Sequence, residues 1–248
     1  MRFAAIADVH GNYLALEAVL DDIRAQGISE IVNLGDAASG PLDAARTIDL
    51  LAACNAVSIR GNHDRYLIER TPDRMGSWDR PAYDQLEKRH FDWLRALPPT
   101  RVFRDRVFLC HGTPASDENY WLDAVLSDGH VIRAPLNAIT QAAEGLSQSL
   151  ILCGHTHLAR AIRLADGRMI VNPGSVGSPA FRDVHPYPHV VEVGTPAACY
   201  AVLELKSDQW QVALRQVPYD HRAMARLARD KQEMDWAGAL ETGRLPSA

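Results

Sequence analysis

Apolar residues along this chain gather into short runs, and run after run stops at a cluster of Asp, Asn, Gly and His. Residues 2–7 form the first, whose near-continuous apolar character predicts a strand buried on both faces. Asn12 follows as a helix cap, and Tyr13, Leu16, Leu20 and Ile23 recur at helical spacing until Gly27 closes the helix in a left-handed conformation. The unit then repeats. Residues 31–34 predict a second strand, Pro41 a helix first turn with its apolar stripe at Leu42, Ala45, Ile48 and Leu51, and residues 56–59 a third strand. Strands alternating with helices in this way call for right-handed crossovers and a largely parallel sheet covered by helices.

Between residues 65 and 100 charges of both signs crowd together, Pro72, Gly76 and Pro81 interrupt, and Tyr83, Leu86, His90, Trp93 and Leu97 trace a helical stripe. We read this segment as a helical, lid-like insertion over the body. Residues 101–103 and 106–110 predict a hairpin, and residues 150–153 a buried strand after a helix beginning near Pro135. Asp166-Gly167 marks a second hairpin, residues 200–205 and 210–217 pair as strands, and one amphipathic helix over residues 220–236 closes the fold. No repeat, low-complexity tract or linker divides the chain, so one domain over residues 1–248 is expected.

Among 248 residues, 26 Lys and Arg face 31 Asp and Glu, a formal charge of −5. That balance lacks the basic stripe of a duplex nucleic-acid binder. No uncharged apolar run approaches the roughly 18 residues that cross a bilayer, so neither membrane insertion nor secretion is expected. Cys54, Cys110, Cys153 and Cys199 are widely spaced without a C-x-x-C pair. They read as small buried hydrophobes in a reducing, cytoplasmic compartment.

The chemistry lies where the apolar runs stop. Asp8-Val9-His10-Gly11-Asn12 follows the first strand, Gly35-Asp36 the second and Arg60-Gly61-Asn62-His63-Asp64 the third; His111-Gly112 and Gly154-His155-Thr156-His157 follow two later runs. In an open α/β sheet the ligand crevice lies outside the carboxyl ends of the strands, so these five tips converge. A lone Asp at a strand end is explained as a helix cap and a lone His as a hydrogen-bonded structural residue. Five tips with the same residue types at the same offset have no such separate explanations. Nitrogen and oxygen donors without thiolates suit Mn, Fe, Zn, Co or Ni, and Mg less well. Asp8, His10, Asp36, Asn62, His111, His155 and His157 exceed the needs of one ion; two divalent ions about 3.5–4 Å apart, sharing a carboxylate, use them all. With two carboxylates and a hydroxide such a centre keeps a charge of about +1, which attracts an anionic, oxygen-rich group.

In this order the motifs D-x-H-G-N, G-D, R-G-N-H-D, H-G and G-H-T-H resemble the calcineurin-like metallophosphoesterase superfamily, and N-P-G-S-V-G at residues 172–177 resembles its small bacterial branch. The resemblance covers roughly residues 1–180. It implies a four-layer αββα sandwich, two mixed β-sheets face to face with helices outside. It implies one ion on Asp8, His10, Asp36 and His157 and a second on Asp36, Asn62, His111 and His155, with Asp36 bridging. By the same resemblance His63 protonates the leaving oxygen, Asp64 orients it, Arg60 clamps a phosphate oxygen, and a metal-bridging hydroxide attacks phosphorus.

After Asp36 the chain continues Ala37-Ala38-Ser39-Gly40-Pro41, without the D-R-G of protein phosphatases. The expected substrate is therefore a small-molecule phosphomonoester or phosphodiester, nucleotides included, rather than a phosphoprotein. Two other classes compete: a non-enzymatic scaffold of the same fold, against which His63 and the full donor set argue, and a nuclease, against which the net charge argues. Trp78, Tyr83, Trp93, Tyr120 and Trp121 lie in segments that could overhang the ions; the expected role of each is to pack the lid against the body, with stacking on a planar substrate group the alternative, and Arg182 is left outside the expected site.

Overall fold

Alternate residues of the first strand, Arg2–Ile6, serve two different cores. In the computed structural model, which describes residues 1–246, Phe3 and Ala5 face a second sheet while Ala4 and Ile6 face helices. That double burial is why the run carries no polar alternation. The first sheet runs in the order Gln209–Val217, Ala198–Lys206, Arg2–Ile6, Ile31–Asn33, Val57–Ser58, with the last three parallel and the first two antiparallel. In the second sheet Val107–Leu109, Leu150–Leu152 and Met169–Asn172 are parallel, flanked by antiparallel Arg101–Phe103 and Arg160–Arg163.

Between the sheets lie Phe3, Val32, Leu34, Val107, Leu109, Leu150, Leu152, Val171, Leu203 and Trp210. Each such side chain contributes about 1.5–3 kcal/mol of burial. Helices Tyr13–Ala25 and Ala44–Ala53 cover the outer face of the first sheet through Leu16, Val19, Ile23, Ile48 and Leu51. Helix Leu136–Ala142 covers the second, with Ile139 against Ile151 and Ile170. The result is the expected four layers of helix, sheet, sheet and helix.

Asn12 caps the first helix, its side chain accepting the Ala15 N–H at 3.2 Å, and Gly27 takes φ 67° beyond its end. The second helix corrects its expected start. Asp43, not Pro41, stands at its head, because the Asp43 carboxylate accepts the Arg46 N–H at 3.1 Å and Pro41 has no such acceptor. The expected single closing helix is two, His221–Asp230 and Met234–Thr242, broken at Gln232 with φ 65°. The stripe over residues 83–97 is likewise divided between Arg80–Tyr83 and Lys88–Ala96. Two hairpins not anticipated, Asp123–Val125 with Val131–Arg133 and Ala180–Asp183 with His189–Glu192, stand beside the strand tips. No helix among the described residues is long and apolar enough to cross a membrane.

Candidate metal centre

The parallel strands of both sheets end on one side, and their tips are laced together by backbone bonds. Asp8 N–H donates to Gly35 O at 3.0 Å, His10 N–H to Asp36 O at 3.1 Å and Gly154 N–H to His111 O at 2.6 Å. The N-P-G-S-V-G segment braces them from behind: Ser175 Oγ donates to Asp8 O at 2.7 Å, Gly177 N–H to the same oxygen at 3.0 Å, and Asn172 Nδ2 to Gly154 O at 2.8 Å. A Cβ on Gly177 would lie 1.8 Å from Val9 O, so only glycine permits this approach. Gly35, at φ 99°, is equally constrained, since its Cβ would meet Gly61 N at 2.2 Å.

All seven expected donors come to this one crevice. Ligating atoms of Asp8, His10 and His157 lie within 4.8 Å of one another, and those of Asp36, His111 and His155 form a second such group. Asp36 links them, its Oδ2 lying 3.1 Å from His111 Nε2 and 4.0 Å from His10 Nε2. Asn62 lines the same cavity, and its buried Oδ1 has no hydrogen-bond partner among the described residues. Asp8, His10, Asp36, His155 and His157 all adopt left-handed backbone, with φ of 55°, 49°, 55°, 70° and 59°.

The outer hydrogen bonds fix which nitrogen each ring offers. His111 Nδ1–H donates to Leu34 O at 2.8 Å, His157 Nδ1–H to Ser178 O at 2.7 Å and His155 Nε2–H to Glu118 O at 2.9 Å. His10 Nδ1 is hydrogen-bonded to the Ser39 hydroxyl at 2.7 Å. The inward nitrogens then present lone pairs to one another and to carboxylates: His10 Nε2 and His157 Nε2 stand 3.1 Å apart, and His157 Nε2 is 3.6 Å from Asp8 Oδ1. Acceptors facing acceptors in a dry site need positive charge between them. Burial pushes the Asp8 carboxyl well above its usual range, with the nearby Asp36 charge adding to it. Burial also lowers His155 to about 4 and His157 to about 3, keeping both rings neutral and ligand-ready. Among the four donor histidines His111 alone is driven the other way, to about 10: desolvation opposes its charge, and Asp36 and Asp8 overcome it. This donor set fits divalent cations of the imidazole-preferring kind, with the outer bonds orienting the ligands.

His63 N–H donates to Asp36 Oδ1 at 3.0 Å, so the ring projects beside the donor groups. The carboxylate expected on that ring is not Asp64. Asp64 occupies the third position of helix Asn62–Glu69, where its carboxylate turns back and accepts N–H groups of Asp36 at 2.8 Å, Ala37 at 3.0 Å and Gly61 at 3.0 Å. His63 Nδ1 lies instead 2.6 Å from Asp79 Oδ1, a contact no motif announced. Desolvation opposes charge on His63, but Asp36 and the Asp79 hydrogen bond hold its pKa above the ordinary value. Arg60 N–H donates to Pro98 O at 3.0 Å, and Arg60 lines an adjoining cavity of about 460 Å³ together with Arg65, Asp117 and the donor His111.

A larger cavity of about 1040 Å³ opens over His10, Asp36, Asn62, His63, His155 and His157. Of the five aromatic residues in the overhanging segments, Trp78 and Tyr120 line it; Tyr83 and Trp93 pack against the first-sheet helices, and Trp121 is buried with Nε1–H on Ile139 O at 3.1 Å. Tyr66, Arg70, Phe181 and Arg182 are also in its walls, together with the acidic Glu118, Asp123 and Asp183. Arg182, left outside the expected site, lines the cavity and donates its Nε–H to Asp235 at 3.0 Å.

Comparison with known proteins bears on this geometry. Residues 1–196 match the model of the calcineurin-like phosphoesterase superfamily domain. An uncharacterised protein of Methanocaldococcus jannaschii is 24% identical over 250 residues, covering 95% of each chain. The crystal structure of a metallophosphoesterase from Sphaerobacter thermophilus superposes with a TM-score of 0.76 at 25% identity, covering 98% of this chain and 99% of that one. A hypothetical protein from Pyrococcus horikoshii shares the fold, with a TM-score of 0.74 at 19% identity and 99% of both chains covered.

Proposed function

The chain belongs to the calcineurin-like phosphoesterase superfamily, and from that membership we propose that it hydrolyses a small-molecule phosphate ester with the help of two divalent cations. The observation that carries this reading is the pair of adjoining donor groups joined by Asp36, with the unpartnered Asn62 Oδ1 beside them. Asp8, His10, Asp36 and His157 would hold one cation, and Asp36, Asn62, His111 and His155 the other. Bound there, Mn, Fe, Zn, Co or Ni supplies Lewis-acid charge for phosphate oxygens and a water acidic enough to act near neutral pH.

The chain's own groups do the rest. The cavity admits a substrate of nucleotide size, with Trp78, Tyr120 and Phe181 among its aromatic walls. Water adds through its oxygen to phosphorus and gives up one proton to solvent, the ester P–O bond breaks with its electron pair leaving on the ester oxygen, the His63 proton passes to that oxygen, and His63 regains a proton from solvent. The products are a phosphate and an alcohol, or a phosphomonoester and an alcohol from a diester.

The test is turnover of a chromogenic phosphomonoester and phosphodiester by protein loaded with each of these metals, then chelated and reloaded. We expect about two ions per chain by elemental analysis, with turnover lost on chelation and restored on reloading. Turnover that persists after verified metal removal, or none of either ester with any metal, overturns the proposal.

A further inference from the structure

We infer that Asp79, carried by the segment over residues 65–100, is the residue that positions His63, so that the proton donor is completed from the insertion rather than from the two-sheet body. This rests on the reading of His63 as the donor to the leaving oxygen.

The geometry is close and dry. His63 Nδ1–H donates to Asp79 Oδ1 at 2.6 Å, and the Asp79 side chain is 3% exposed. Its second oxygen stands 4.0 Å from the Arg70 guanidinium, which lies over the Tyr66 ring. Asp79 itself is fixed: its N–H donates to Gly76 O at 3.1 Å and its carbonyl accepts the Tyr83 N–H at 2.8 Å. The preceding residue holds the ring in a second way. Trp78 stacks on His63 with centroids 5.5 Å apart and planes 24° apart, and its carbonyl accepts the Gly40 N–H at 2.7 Å. Two consecutive residues thus fix both the tilt and the rotation of one imidazole.

Among the described residues no other carboxylate is hydrogen-bonded to the His63 ring. Both oxygens of Asp64 are taken by backbone N–H groups, and Ser39, on the loop after Asp36, is hydrogen-bonded to His10. With Nδ1–H on Asp79, Nε2 is the nitrogen left to carry the transferable proton, and the alternative tautomer is suppressed. As the P–O bond breaks, that proton goes to the leaving oxygen and Asp79 keeps its charge.

The experiment compares Asp79→Asn, Asp79→Glu and His63→Asn in the full, metal-loaded chain. One readout is the strongly deshielded imidazole N–H proton signal. It is expected in the unaltered protein and in Asp79→Glu, and lost in both Asp79→Asn and His63→Asn. The other is a pair of phosphate esters of equal charge, one with a nitrophenol leaving group and one with an alcohol. For Asp79→Asn we expect kcat on the alkyl ester to fall about 100-fold, with KM and the nitrophenyl rate nearly unchanged and with recovery in Asp79→Glu. A proton signal that survives Asp79→Asn, or rates that fall equally on both esters, overturns the inference. If the unaltered protein hydrolyses neither ester, the hydrolytic reading fails, while the proton signal still decides whether Asp79 holds His63.

Discussion

A non-glycine residue in left-handed backbone costs roughly 1 kcal/mol, and this chain meets that cost five times within one crevice, at Asp8, His10, Asp36, His155 and His157. The surrounding bonds maintain it, and Asp64 is the plainest example, one carboxylate satisfying three N–H groups on two loops. Replacing Asp64 by Ala orphans those donors. We expect a loss of about 2–4 kcal/mol and a metal affinity lower by about 10- to 100-fold, read from thermal melts and metal titration. An unchanged affinity would show that the Asp36 loop holds itself. The convergence of the seven candidate donors was legible in the sequence because each stands directly after an apolar run, where topology leaves it no other place to go. Asp64 misled because adjacency to His63 in a helix does not put two side chains face to face. Asp79 was invisible for another reason: it lies 16 residues from its partner, in a stretch where acidic side chains are common.

Elements buried on both faces declared themselves, since alternate residues of strands such as Leu150–Leu152 enter different cores and all must be apolar. The short hairpins did not. Strands of three or four residues with exposed Ile132 and Val190 carry too little period to separate from loop, and they are stabilised by tertiary contact. Joins between elements were equally hidden. Asp22 on the first helix accepts from Tyr200 Oη at 2.5 Å and Arg215 Nε at 3.0 Å, tying that helix to two strands nearly 200 residues on. Burial works against its charge, but these bonds hold the Asp22 pKa below the ordinary carboxylate value. A folded-state pKa below the unfolded one stabilises above the unfolded value and is lost as pH falls through the folded one. Asp22→Asn is therefore expected to melt a few degrees lower at neutral pH, with the two melting curves converging once the solution is more acidic than the usual carboxylate range, near pH 4 and below. Curves that stay parallel throughout would deny Asp22 this role.

At the scale of the molecule, the helices His221–Asp230 and Met234–Thr242 close against Leu42 and reach the crevice through Trp236. Its ring lies 4.6 Å from Trp78 and 6.3 Å from His10, between centroids. Trp236→Phe should leave the metal complement intact, lower the melting temperature by several degrees and reduce kcat more than it raises KM, checked by elemental analysis, calorimetry and steady-state rates. Equal kinetics in the variant would confine Trp236 to packing. These two helices thus lean on the tryptophan that stacks on His63, and none of the seven candidate donors lies on them. On the proposed reading, drift in these helices is free to retune the proton donor while the cation-holding residues are untouched, much as a set screw alters a mechanism whose gears are left alone.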